Sequence, residues 1–181
     1  WLSSRGLGDV YKRQIYNRAL TATYPPGSMF KLIQALIGLE ENVVSKEDQI
    51  YVDLSRIGDL APAGIYDLNK AIVNSSNNYF HMLFRKIINQ KRDNNTFIDS
   101  RIGLDRWSEY VKKFGLGSDL DFDISNISSG FVPSSEYYDG FYGKGRWKFS
   151  NIYSLSIGQG ELLVTPIQMA NFASIIANRG Y

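Results

Sequence analysis

Four stretches of the chain repeat apolar residues at intervals of three and four, and each is closed by glycine, proline or a polar cluster. That period puts the apolar side chains on one face of an α-helix, so most of the chain is committed to short amphipathic helices. The first starts at Ser28 and carries Phe30, Ile33, Leu36 and Ile37, with Gly38 weakening its end. The second begins near Leu68 with Ala71 and Ile72, pauses at Asn74-Ser75-Ser76-Asn77, and resumes through Tyr79, Phe80, Leu83, Phe84, Ile87 and Ile88. A third, over 104–114, presents Trp107 and Val111 and ends at Gly115 and Gly117. In the fourth, Thr165 is an N-cap, Pro166 fills the first helical position, and Ile167, Ala170, Phe172, Ile175 and Ile176 follow.

Strand signals are sparse. One candidate covers 50–54, and 161–164 reads as a short extended segment. Residues 15–27 read as a loop or strand end stopped by Tyr24-Pro25-Pro26-Gly27, 89–101 as a polar loop, 118–150 as a long surface loop, and 152–157 as one or two helical turns.

The 181 residues include no cysteine and one histidine, His81, which removes disulfides, thiol nucleophiles, cysteine-ligated metals and multi-histidine metal sites. The longest apolar run, 32–39, is far short of the roughly 18 residues that span a bilayer. The net charge of +2 misleads. The segment from Ser4 to Gln14 resembles the translated end of a transposon sequencing adapter, so residues 1–14 are set apart as a read-through scar. These residues carry Arg5, Lys12 and Arg13 against Asp9, the whole of the excess, so the rest is neutral and gives no case for nucleic acid. Such a scar implies a gene read from a fragment.

Three strings can carry chemistry. In Ser28-Met29-Phe30-Lys31 the spacing of three turns a helix by about 300° over about 4.5 Å, which puts hydroxyl and ammonium on one face. A desolvated lysine amine can take the serine proton and make the hydroxyl a nucleophile. In isolation the pattern is weak, since about one Ser-x-x-Lys arises by chance in a chain of this composition, and a capping serine beside a surface lysine is the simpler explanation. Ser75-Ser76-Asn77 lies at a helix break, where it either points a hydroxyl and an amide into a cleft or simply caps the next helix. Ser156-Ile157-Gly158-Gln159-Gly160, followed by Thr165-Pro166-Ile167-Gln168-Met169-Ala170, contains nothing reactive, and its glycines suit a turn or close backbone packing. Asp119-Leu120-Asp121-Phe122-Asp123 opens like a calcium loop but has Ile124 and Gly130 at the glycine and closing acidic positions. His81 reads as structural rather than catalytic.

Taken together, in order and spacing, these strings and Phe114-Gly115-Leu116-Gly117 resemble the transpeptidase domain of class B penicillin-binding proteins over 15–181. The Ile157-Gly158-Gln159-Gly160 string before Val164-Thr165-Pro166 is similar to the elongation-type branch, penicillin-binding protein 2. The resemblance implies an α+β domain, here a mostly helical part of the penicillin-binding transpeptidase and serine β-lactamase-like fold, with the antiparallel sheet largely missing. It implies Ser28 as the acylated nucleophile, Lys31 as its proton acceptor, Ser75 as a proton shuttle and Asn77 as a holder of the donor peptide, with Gly158, Gln159 and Gly160 beside the substrate. No cofactor or metal is implied. Implied partners are peptidoglycan stem peptides or their lipid-linked precursor, β-lactams, a glycosyltransferase and elongation-complex proteins, at the periplasmic face of the inner membrane, with the anchor outside this fragment. Met29 replaces a common threonine. No Lys-Thr-Gly or Lys-Ser-Gly occurs, so the chain is expected to stop at Tyr181 before that strand and to be inactive alone. The same fold also serves serine β-lactamases, D,D-carboxypeptidases and non-turnover β-lactam sensors.

Overall fold

The computed structural model describes residues 17–120 and 126–180. The adapter-like segment 1–14, part of the rejected calcium loop (121–125) and Tyr181 lie outside the described residues.

A central helix organises the structure. Helix α4 (Asn77–Ile88) buries Phe80, Leu83, Phe84, Ile87 and Ile88 while Arg85 and Lys86 face outward, which is the three–four alternation of its sequence. On one side packs α2 (Lys31–Glu40), with Ile33 and Ile37 buried. On another packs α5 (Thr96–Lys113), with Leu104, Trp107 and Val111 buried. Trp107 joins all three: its ring meets Phe30 edge-on at 5.8 Å and Phe84 at 5.5 Å, and its indole N–H donates to the Gln34 carboxamide at 2.8 Å. Gly103 lets α5 cross α4 closely, because a Cβ there would lie 2.7 Å from the carbonyl carbon of Ile88.

The remaining elements frame this core. Helix α1 (Arg18–Thr21) precedes a 3-10 turn (Gly27–Phe30) that runs straight into α2. Strands β1 (Ile50–Val52) and β2 (Gly64–Tyr66) form an antiparallel pair with Tyr51 opposite Ile65, and α3 (Leu68–Val73) follows. After α5 come α6 (Ser135–Tyr142), α7 (Phe149–Ile152), a 3-10 turn (Tyr153–Ile157) and α8 (Pro166–Ala177). Residues Tyr24 and Phe131 each pair antiparallel with the 161–164 segment, through Val164 and Leu163.

The four helical stretches stand where the periodicity places them, and the Thr165 cap forms: its hydroxyl accepts from the Gln168 N–H while Gln168 accepts from the Thr165 N–H. Within 17–27, read as a loop or strand end, Arg18–Thr21 forms the single turn of α1, and three larger expectations are corrected. First, 89–101 is not all loop. Helix α5 starts at Thr96, capped by the Asn95 carboxamide, and Asp99 in its first turn accepts the N–H groups of Lys91 and Arg92. Second, 118–150 is not one loop, because Ser134 caps α6 and Tyr138 is driven inward against Trp147, with ring centroids 5.7 Å apart. Third, β2 completes a hairpin of which only the first strand was visible in the sequence. In α8 the apolar residues outnumber the buried ones: Phe172 is inside, whereas Ile176 is 43% exposed.

Candidate active site

Ser28 sits in the 3-10 turn, and its carbonyl accepts the N–H of Lys31, the first residue of α2. The turn is held from outside by the glycine string. Gly27 N–H donates to the Gly158 carbonyl at 2.8 Å, and a Cβ on Gly158, whose φ is 69°, would collide with Gly27 and lie 2.6 Å from the Cβ of Phe30. Gly160 is likewise pressed against Ser154, and Gln159 is exposed. The string therefore packs the backbone that presents Ser28, which lies exposed at the surface.

Lys31 is buried, and its ammonium donates to three oxygens: Asn77 Oδ1 at 2.6 Å, the Ser75 carbonyl at 2.6 Å and Ser75 Oγ at 2.9 Å. All three bonds run to the trio and none to Ser28. Burial lowers the Lys31 pKa to about 8, against an opposing pull from the Asp59 carboxylate. A lysine of that kind is partly deprotonated near neutral pH and can accept a proton.

The trio is shaped by a helix end. Ser75 N–H donates to the Ile72 carbonyl and Ser76 N–H to the Ala71 carbonyl, the paired bonds of a Schellman ending to α3. Ser75 occupies the left-handed position, φ 50°, where glycine is usual. Ser76 is the N-cap of α4: its side chain accepts from Tyr79 N–H. The capping explanation thus holds for Ser76, while Ser75 and Asn77 turn to the lysine.

Asp59 is the residue that sequence reasoning missed. Its carboxylate accepts from Ser76 Oγ at 2.9 Å, Asn78 N–H at 2.8 Å, Asn78 Nδ2 at 3.2 Å and Ala61 N–H at 3.1 Å. Partial burial pushes its pKa up, but the backbone N–H groups of Asn78, Ala61 and Asn77 and the Ser76 hydroxyl outweigh it and hold the carboxyl below the ordinary aspartate value. Beside it, the Gly58 carbonyl accepts from Asn77 Nδ2 at 2.7 Å. Asp59 lies in a punctuated segment without period, so no local signal marks it. Among the described residues no group of acidic, histidine or cysteine side chains is arranged to hold a metal ion. The arrangement that exists is an exposed hydroxyl, one turn from a buried amine that donates to a second hydroxyl, a backbone carbonyl and a carboxamide.

Residues 4–181 match the family model described as the penicillin binding protein transpeptidase domain. Among curated proteins the chain is similar to the peptidoglycan D,D-transpeptidase MrdA of Haemophilus influenzae, at 30% identity over 97% of the chain and 26% of the relative. The MrdA of Acinetobacter baumannii is 29% identical over 96% of the chain and 25% of the relative. The chain thus spans about a quarter of the length of these curated relatives. Among solved structures, Pseudomonas aeruginosa PBP2 in complex with WCK 5153 superposes with a TM-score of 0.73 at 29% identity, over 92% of this chain and 37% of that one. The PBP2 of Helicobacter pylori, at 24% identity, shares the fold with a TM-score of 0.74, over 91% of this chain and 30% of that one.

Proposed function

Because the chain belongs to the penicillin-binding protein transpeptidase domain family, in its PBP2-type branch, we propose that it is part of a peptidoglycan D,D-transpeptidase that cross-links stem peptides through a serine acyl-enzyme. The observation that carries this reading is the buried Lys31 amine, lowered to about 8 and held by Ser75 and Asn77 one turn from the exposed Ser28.

The steps follow from those groups. Ser28 Oγ attacks the carbonyl carbon of the penultimate D-alanine, and its proton passes to the Lys31 amine. The tetrahedral adduct collapses, the C–N bond breaks, and the leaving D-alanine takes a proton through the Ser75 hydroxyl, which Lys31 replenishes. An amine of a second stem then attacks the Ser28 ester, loses its proton along the same path, and releases Ser28. Asn77, fixed by the Gly58 carbonyl, orients the donor peptide. A β-lactam acylates the same hydroxyl by opening its ring, and no amine leaves.

In this reading the protein acts at the outer face of the cytoplasmic membrane with a glycosyltransferase and elongation partners. A PBP2 complex with MreC and a peptidoglycan synthase complex occur among proteins of the same fold. Among the described residues no helix is long and apolar enough to cross a membrane. The chain by itself is expected to acylate slowly, because it has no Lys-Thr-Gly to bind the ligand carboxylate.

The test is labelled penicillin, incubated with the transpeptidase that contains this chain, and then peptide mass mapping. The expected adduct is on Ser28. An adduct on Ser75 or Ser76 with Ser28 unmodified overturns the assignment, and rapid hydrolytic release of the label would make the protein a β-lactamase instead.

A further inference from the structure

A cavity of about 690 Å³ opens beside α4, and its lining includes Arg56, His81, Arg85, Trp147, Lys148 and Phe149. Its size is within the range of small-molecule and peptide-side-chain sites. Its charge is one-sided: two guanidinium groups and one ammonium line it, and among the described residues no aspartate or glutamate does. None of these three cations forms an ion pair among the described residues, where the salt bridges use Arg92, Arg101 and Arg106.

Packing holds Arg85 and His81 in place. The Arg85 guanidinium lies over the Phe149 ring, 5.1 Å from its centroid. The His81 ring meets Phe149 edge-on at 5.3 Å and Tyr153 at 5.9 Å. His81 is 8% exposed and its Nδ1 has no hydrogen-bond partner, so a buried polar atom stands unsatisfied in the wall of a positively charged cavity. Burial, and then the charges of Arg56 and Arg85, hold the imidazole pKa below its ordinary value. A bound anion reverses the second of these effects.

The cavity is also tied to the catalytic groups. His81 follows Asn77 by one turn of α4, about 6 Å along the axis. Arg56 immediately precedes the Ile57–Asp59 segment that grips Asn77 and Asn78. Tyr153 opens the 3-10 turn that leads to Gly158.

We infer that this cavity is a second binding site, separate from Ser28, for a carboxylate carried on an acidic peptide: the Arg56 and Arg85 forks and Lys148 take the carboxylate, His81 Nδ1 bonds to it, and Trp147 and Phe149 cover the apolar part. Guanidinium forks match the two oxygens of a carboxylate. The choice of a stem peptide as occupant rests on the transpeptidase reading, since stem peptides bear free carboxylates and are the material on which that enzyme works.

The test follows the His81 ring signal by NMR in histidine-labelled protein, with His81→Gln identifying the signal, at constant pH and ionic strength. The titrants are a stem tripeptide with free carboxylates, the same peptide amidated, and inorganic phosphate. Expected is a saturable shift with the free peptide, and binding at least about tenfold weaker, roughly the loss of one charge-assisted contact, for the amidated peptide, for phosphate and for Arg56→Ala/Arg85→Ala. No saturable shift, equal binding of the amidated peptide, phosphate binding as tight, or binding unchanged in the double variant each overturns the proposal. Penicillin labelling of Ser28 is read separately, so failure of the transpeptidase reading is distinguishable from failure of this site.

Discussion

The Lys31 ammonium stands 2.9 Å from the Ser75 hydroxyl, and the backbone that presents this hydroxyl is in the left-handed conformation, φ 50°. Glycine is the residue that ends a helix this way without strain, so a serine here exchanges local stability for an oxygen beside the lysine.

That exchange can be measured by comparing Ser75→Gly with Ser75→Ala. Both remove the oxygen, but only glycine relieves the left-handed backbone, by about 1 kcal/mol. Ser75→Gly is expected to melt about 2–4 °C higher than Ser75→Ala, with penicillin acylation reduced about equally in both. Equal melting temperatures, or acylation retained in one variant, would contradict the account.

In the proposed mechanism the Lys31 amine sets a pH dependence. Its pKa of about 8 means that the base form fills as pH rises through that value. Acylation should therefore rise tenfold per pH unit below the limb and level off above about 8. A limb near the usual lysine value, above 10, would show that Lys31 is not desolvated in the working enzyme. Lys31→Arg keeps the charge but cannot release a proton, and should abolish the limb together with activity.

In the proposed mechanism Asp59 is a positioning residue, and Asp59→Asn separates its two effects. Removing the negative charge lowers the Lys31 pKa further, so the acid limb should move to lower pH. Replacing the acceptor of Ser76 Oγ and Asn78 N–H loosens the trio, and the plateau rate should fall by about tenfold or more, roughly the loss of one charged hydrogen bond. A lower plateau with an unmoved limb would leave Asp59 a purely structural role.

Gly158→Ala tests the backing of the serine turn. The new methyl meets Gly27 and Phe30 in a backbone conformation that alanine rarely adopts. Strain and overpacking together should cost about 2–4 kcal/mol, read as a lower melting temperature, with acylation falling as Ser28 shifts. A variant that melts and acylates like the parent would show that the turn does not depend on this contact.

The residues by themselves determined the helices that build the core. Periodicity and caps act within one or two turns, so the apolar faces of α2 and α4, the Thr165 cap and the break at Asn74–Asn77 are written locally. The Ser28–Lys31 spacing and the trio were legible for the same reason. The start of α5 was hidden because Asn95 and Asp99, polar residues that read as loop, are satisfied by backbone N–H groups, Asn95 by Phe97 as the cap and Asp99 by Lys91 and Arg92 of the preceding segment. Helix α6 was hidden because what holds it is Tyr138 against Trp147 and Glu161, contacts with residues distant in the chain. Only the tertiary structure decided that Lys31 is closed in by residues 44 and 46 positions away, that Asp59 fixes Ser76 and Asn78 from 17 and 19 positions away, and that Gly158 backs the Ser28 turn. Desolvation and hydrogen-bond satisfaction depend on which segments meet, and that is a property of the packed chain rather than of any window along it.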